Sequence, residues 1–166
     1  MTTRGAAPAR PAGAAEAGDA RRALLLVRVG PELFAFDLVA AEEAVEWPAL
    51  ERLPQSPRDM LGVFAFRGRL VPVYTPESAL AVARTGVPGV VVVTRSGERR
   101  VGLAVDDVED VIMMDRSKVL PPPVPGTARG VVLGVARHGE ELVSIVDLGA
   151  LVRAIAATDI AAEEGA

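Results

Sequence analysis

An internal repeat constrains the fold of this chain more strongly than any single motif. Residues 30–38 (GPELFAFDL) align without a gap to residues 97–105 (GERRVGLAV), and the same spacing carries residues 42–45 onto residues 109–112. Such self-similarity indicates two copies of one structural unit. Further along, at a slightly wider spacing, residues 61–63 match residues 133–135. The turn Arg67-Gly68 matches His138-Gly139 if a one-residue gap is placed in the strand that follows the turn.

Each half of the repeat contains about five short apolar segments separated by glycine-bearing turns, which is the strand count of a small closed barrel. We therefore predict an all-β fold of two small, packed, five-stranded β-barrels. Residues 39–45 fit either a helical turn or a strand, residues 77–83 favour a short helix, and apolar spacing from Leu148 to Ile155 predicts a short C-terminal helix. The predicted strands are residues 24–29, 33–38, 63–66, 70–74, 90–94, 100–105, 108–114, 131–136 and 142–146.

The central hairpin is predicted within residues 60–74. Phe64 and Phe66 are two positions apart and so share one face of its first strand, which indicates core packing. Gly68 can adopt the positive φ of a tight turn, and Pro72 predicts an edge strand or a bulge because proline lacks an N–H. Arg67 lies at the tip, where a solvated arginine and a binding residue are about equally expected from the sequence alone.

Composition limits the classes of function. The 166 residues contain no cysteine, which excludes disulfides and thiolate metal sites, and the net charge of −4 argues against a nucleic-acid partner. Residues 1–22 are interpreted as a disordered tail and residues 157–166 as a frayed end. Residues 23–156 are interpreted as one folded domain of two barrel lobes, with a chain path that can cross between the lobes. Apolar runs are too short to predict membrane insertion.

The sequence shows no catalytic constellation. The carboxylates at residues 106–110 follow a predicted strand end, and we interpret them as solvated turn acids. His138 is the sole histidine, so it lacks the partners that a zinc site needs. We assign no catalytic residue, no metal site and no cofactor, and expect a protein that is not an enzyme.

Several short motifs together resemble the CheW-like adaptor family of bacterial chemotaxis. The resemblance covers about residues 24–155, and it rests on the combination because each motif is short. The motifs in chain order are LGV at 61–63, RG at 67–68, LVPV at 70–73, VGLAVDDVEDVI at 101–112, RGV at 129–131 and VDL at 146–148.

This resemblance implies two five-stranded SH3-like barrels without catalytic activity, which couple the histidine kinase CheA to chemoreceptors. It also implies site residues. Arg67, Gly68 and Glu43 match positions tied to receptor or kinase contact. The positions that match family residues supporting kinase docking are Gly62, Gly102, Val108 and Val111.

The resulting hypothesis is a cytoplasmic adaptor recruited to membrane receptor arrays. Its expected partners are the regulatory domain of a CheA-type kinase and the cytoplasmic domain of a methyl-accepting chemoreceptor. Two alternatives are an adaptor of a non-chemotactic chemosensory pathway and a small-ligand sensor that uses a cleft between the barrels. The chain has Ala65-Phe66 where the family commonly has Asn-Leu, and Thr75-Pro76 where it has Asp-Leu; both departures bear on partner choice.

Overall fold

The computed structural model describes residues 21–83, 86–122 and 130–155. The frayed end predicted over residues 157–166 lies outside these ranges, as does nearly all of the tail predicted over residues 1–22. Arg21 and Arg22 already belong to the first strand. Among the described residues no helix is long and apolar enough to span a membrane.

Strands dominate the described part of the chain, and their bounds agree closely with the apolar segments of the sequence. The strands are β1 Arg21–Val29, β2 Glu32–Asp37, β3 Ala41–Glu46, β4 Met60–Phe66, β5 Arg69–Tyr74, β6 Val90–Ser96, β7 Arg99–Val105, β8 Asp107–Asp115, β9 Val132–His138 and β10 Glu141–Val146. A short helix α1 spans Glu77–Leu80, a 3-10 turn spans Arg116–Lys118, and residues 148–155 are helical and are called α2.

The segment that the sequence left open between helix and strand is strand β3. It pairs antiparallel with β6 from Ala41↔Thr94 to Glu46↔Val90. Alanine and glutamate favour helices intrinsically, but pairing with the buried valines of β6 outweighs that weak preference. The helical alternative for residues 40–44 is therefore wrong.

The described strands form two five-stranded sheets, and each sheet combines both halves of the repeat. The first sheet has the order β8-β1-β2-β10-β9 and the second has the order β3-β6-β7-β5-β4. The first sheet thus contains two strands from the first half of the chain and three from the second half. The second sheet contains three strands from the first half and two from the second half. The expected fold class is confirmed, although no pairing between described strands joins the two ends of either sheet.

The two sheets are internally symmetric, since replacing β1, β2, β8, β9 and β10 by β6, β7, β3, β4 and β5 converts one strand order into the other. Register shifts recur at equivalent places, leaving Glu109 as the extra residue of β8 and Glu42 as that of β3. The same holds for Leu133 on β9 and Leu61 on β4. Symmetry therefore extends to the bulges.

The strand registers correct one detail of the repeat. Phe66 pairs with Arg69 and His138 pairs with Glu141, so the two-residue turns are residues 67–68 and residues 139–140. The spacing that aligns residues 61–63 with residues 133–135 therefore continues through the turn without a gap. Arg67 corresponds to Gly139 rather than to His138. Arg69 consequently corresponds to Glu141.

The apolar core has three parts. One cluster lies between the sheets and combines residues of β1 and β2 with residues of β6 and β7, and α2 packs against it. Leu24, Leu26 and Ile145 belong to a second cluster on the other face of the first sheet. Phe64, Val71 and others form a third on the other face of the second sheet. Burial on both faces explains the near-continuous apolar runs.

Pro72 does not lie on an edge strand, because β5 is between β7 and β4. The register shift expected there is found instead on β4, between Met60 and Gly62. Pairing of β5 with β7 is described only at Val73 and Tyr74. Pro72 directly precedes this pairing, so its missing N–H coincides with the point where the ladder to β7 ends.

A substitution at Gly62 tests this bulge. Gly62 has φ +153°, and a Cβ there would lie 2.8 Å from the carbonyl oxygen of Glu51, which is hydrogen-bonded to Val63. We expect Gly62→Ala to lower the free energy of unfolding by about 1–3 kcal/mol, because backbone must move. Urea denaturation measures this loss. Gly86→Ala is the control, since a Cβ there meets nothing within 4 Å; equal midpoints for both variants would contradict the expectation.

Candidate functional site

The tip of the β4–β5 hairpin is a tight turn that fixes where Arg67 points. Arg67 has φ +50° and Gly68 has φ +79°, as a type I′ turn requires at both central positions. A Cβ at Gly68 would meet nothing within 4 Å, so glycine is present there for its backbone conformation. The positive φ predicted for Gly68 is confirmed.

The turn brings two predicted site residues together. The Arg67 guanidinium donates from Nη2 to Glu43 Oε1 at 2.8 Å and from Nη1 to Glu42 Oε2 at 3.4 Å. The side chains of Arg67 and Glu43 remain 57% and 43% exposed. Ion pairs this exposed contribute little to stability, so Arg67 can exchange them for a partner's carboxylate at small cost.

Glu42 links Arg67 to a second arginine that the sequence did not single out. Arg100, on β7, donates to Glu42 from Nε at 2.9 Å and from Nη2 at 3.0 Å. These bonds hold the pKa of the Glu42 carboxyl below its usual value, and the charges of Arg95 and Arg67 act in the same direction. The bulge of β3 aims Glu42 at both arginines, and a bulge leaves no clear signal in a sequence.

Phe66 forms the apolar floor beneath the two arginines. It is 7% exposed, its ring lies 6.1 Å from that of Phe64, and the two rings are edge to face. The Cζ atoms of Arg67 and Arg100 lie 5.0 Å and 5.5 Å from its ring centroid, within cation–π range. Core packing of Phe66 is therefore confirmed. We call Glu42, Glu43, Phe66, Arg67 and Arg100 the Arg67 cluster.

The other predicted site residues lie elsewhere. Gly62 is at the β4 bulge, and Gly102 is buried, where an added Cβ would lie 2.7 Å from Val91 Cγ1. Both are in the second sheet. Val108 and Val111 are on β8 of the first sheet, the former half-buried against the core between the sheets and the latter 51% exposed. No described contact joins these four residues to the Arg67 cluster.

The carboxylates of residues 106–110 are not all simple solvated acids. Asp106 accepts a hydrogen bond from the backbone N–H of Gly30 at 3.0 Å. Glu109 accepts from Arg28 Nε at 2.7 Å. These acids join strands of the fold, which the solvated interpretation missed. Within residues 21–83, 86–122 and 130–155, no group of three or more histidine or acidic side chains is placed to hold a metal ion.

A groove of about 600 Å³ bears on the small-ligand alternative. Its lining residues come from all five strands of the first sheet, the segment after β8, the start of α2 and the connecting residues Ala40 and Asp147. A cleft between the two sheets, as that alternative requires, is instead filled by the shared core cluster. The strands that line the groove therefore all belong to the first sheet.

Comparison with known proteins identifies the family. The model of the CheW-like domain matches residues 23–156 of this chain. The chain belongs to the CheW-like domain family. Its function is accordingly that of a coupling adaptor in chemotaxis, and proteins of this family are scaffolds and adaptors.

Individual CheW relatives support this assignment. The chain is 30% identical to the chemotaxis protein CheW of Rhizobium meliloti over 61% of its own length and 67% of the relative. It is 28% identical to the chemotaxis protein CheW of Klebsiella aerogenes, over 75% of this chain and 77% of the relative. The fold resembles the crystal structure of the scaffolding protein TtCheW from Thermoanaerobacter tengcongensis, with a TM-score of 0.70, 23% identity and coverage of 78% and 86%.

The Arg67 cluster of this CheW-like domain predicts a pH dependence. The pKa of Glu42 is lower in the folded chain than the usual 4.5, so its contribution to stability is present above that pH and is lost as pH falls through the folded pKa. We expect Glu42→Gln to lower the melting temperature at neutral pH, with a difference from wild type that shrinks below pH 4.5.

Glu46→Gln is the matched control, because Glu46 is exposed on the same strand and forms no ion pair with described residues. Thermal unfolding of the three proteins from neutral pH down to about pH 3 measures the effect. A wild-type advantage over Glu42→Gln that stayed constant with pH would refute the electrostatic role of Glu42.

Phe66 provides a second test. Phe66→Ala is expected to cost about 3–5 kcal/mol of unfolding free energy, because it leaves a cavity beside Phe64 and removes the ring beneath both arginines. Denaturant unfolding measures this cost. Ala65→Ser is a suitable control, since Ala65 is exposed on the same strand. A midpoint for Phe66→Ala close to that of the control would show that the ring is not part of the core.

Proposed function

We propose that this CheW-like domain is a non-catalytic adaptor in the cytoplasm that couples a CheA-type histidine kinase to methyl-accepting chemoreceptors. The observation that carries this assignment is the family match over residues 23–156. The adaptor works by holding the kinase and the receptor next to each other. Simultaneous binding of both partners raises the effective concentration of kinase at the receptor and lets a receptor shift bias the kinase, without chemistry of its own.

We assign receptor contact to the Arg67 cluster. Arg67 projects from a tight turn between two paired strands, so its guanidinium is held in place by a rigid support. Its planar fork can bind a carboxylate or carbonyl groups of a partner. Glu43 holds the fork in an exposed position until a partner arrives, which accounts for both predicted residues being in contact.

We assign kinase contact to the region of β8. Val111 and Met113 are two positions apart on this strand and are 51% and 61% exposed, which leaves neighbouring apolar side chains on an edge strand of the first sheet. Exposed apolar neighbours are typical of an interaction surface. Val108 supports this strand from the core side. Gly62 and Gly102 act indirectly, by allowing close packing in the second sheet.

The separation of these two surfaces can be tested at Arg67. Arg67→Glu places a third carboxylate beside Glu42 and Glu43, so it removes donors and adds repulsion. We expect it to weaken binding to a receptor cytoplasmic domain about tenfold or more, and binding to the kinase regulatory domain much less. Isothermal titration with each domain measures both affinities, and a melting curve checks the fold.

The double variant Arg67→Glu with Glu43→Arg separates direct contact from support. It restores an ion pair in the reverse sense, so its melting temperature should equal that of wild type while receptor binding stays weak. Equal receptor affinity for wild type and Arg67→Glu would remove this tip from the interface. Full recovery of receptor binding in the double variant would make Arg67 a structural residue.

A further inference from the structure

A second groove, of about 750 Å³, opens on the second sheet and shares Arg100 with the Arg67 cluster. One wall is the first part of β5, from Arg69 to Pro72, and the other is the end of β6 and the start of β7. Four arginines line it against a single carboxylate, Glu98. In a chain of net charge −4, this is a local concentration of positive charge.

The groove exists because two parallel strands separate early. Strands β5 and β7 pair only at Val73↔Gly102 and Tyr74↔Leu103. The equivalent strands of the first sheet, β10 and β2, pair at four positions, from Val143↔Leu33 to Val146↔Phe36. By the repeat, Pro72 stands where β10 has Ser144. Proline has no N–H to donate, so the ladder stops there and leaves part of β5 without a neighbour on this side.

The same location in the first sheet is closed by an ion-pair network. Arg28 binds Glu109 at 2.7 Å and Glu141 at 2.9 Å, and its side chain is only 24% exposed. The repeat carries Arg28 onto Arg95 and Glu141 onto Arg69. In the second sheet, an arginine, Arg69, therefore occupies the position of Glu141, the acid that pairs with Arg28 in the first sheet.

Three guanidinium groups of the groove consequently lack a directly bonded partner within the described ranges, although the charge of Arg95 acts on Glu42 at longer range. The side chains of Arg69, Arg95 and Arg99 form no hydrogen bond or ion pair there, while Arg100 is held by Glu42. Like charges that line one groove repel one another, and an added anion relieves the repulsion. Leu70, between them in sequence and 69% exposed, adds an apolar contact surface.

We propose that this groove binds an extended acidic segment of a partner protein. One carboxylate of that segment takes the place beside Arg95 that Glu141 takes beside Arg28, and others meet Arg69 and Arg99. An extended peptide fits because the open side of β5 offers backbone groups that an added strand can pair with. Arginine favours carboxylates through paired, charge-assisted hydrogen bonds. The proposal does not require Arg67 to contact the receptor.

The test uses the full chain and a fluorescein-labelled synthetic peptide of alternating glutamate and valine, with binding followed by fluorescence anisotropy. Arg69→Glu supplies within the chain the acid that the partner would bring, recreating the arrangement of the first sheet. We expect the affinity of this variant for the peptide to be lower than that of wild type by a factor of about ten or more. Its melting temperature should be unchanged or raised. Wild-type affinity should also fall with added salt.

Arg137→Glu is the matched control, because it reverses an exposed arginine on β9 of the first sheet and should leave peptide affinity unchanged. Equal affinity for wild type and Arg69→Glu, or no saturable binding to wild type, would overturn the proposal. So would tighter binding of inorganic polyphosphate than of the peptide at the same site, which would indicate an anion site instead.

The chain's own acidic end is another occupant that the experiment distinguishes. If Glu163→Gln with Glu164→Gln raised peptide affinity about tenfold, the groove would be filled by this segment rather than by a partner, and the proposal would be wrong. Because Arg69→Glu leaves Arg67 unchanged, loss of peptide binding and loss of receptor coupling can be measured separately.

Discussion

The apolar cluster between the two sheets is the constraint on which the rest of the structure depends. It joins β1 and β2 to β6 and β7, and α2 packs against it. Because each sheet takes strands from both halves of the chain, neither half can complete a sheet alone. The Arg67 cluster inherits this dependence, since Glu42, Glu43 and Arg67 come from the first half and Arg100 comes from the second.

Symmetry between the sheets explains how one backbone arrangement serves two purposes. The bulge of β8 turns Glu109 toward Arg28 on the neighbouring strand β1, and the bulge of β3 turns Glu42 toward Arg100 on β7, two strands away. In the first sheet these contacts, completed by Glu141, tie strands together. In the second sheet Arg69 replaces that acid, and the equivalent place stays open. The proposed docking groove therefore lies where the second sheet departs from the repeat, at Arg69 and Pro72.

The sequence predicted local features well because they depend on neighbouring residues. Alternation placed Phe64 and Phe66 in the core, and Gly68 marked the turn. The sequence left open that the chain crosses between the lobes, but it could not predict which strands the two halves exchange, because a repeat shows which segments are equivalent and not which copies pair. The sequence alignment wrongly matched Arg67 with His138 because glycine is the second residue of the turn at 67–68 and the first residue of the turn at 139–140.

The contrast between Arg28 and Arg67 shows why only one of these arginines is available to a partner. Arg28 is held by two acids through four hydrogen bonds, and this raises its pKa. Removing it from such a network would leave two carboxylates without their cation, which is costly where solvent access is reduced. Arg67 is 57% exposed and has one short contact, to Glu43. Water can replace that contact at little cost. The hairpin tip is thus rigid in its backbone and exchangeable in its ion pairs, which is the combination that an adaptor needs to hold and release a partner without refolding.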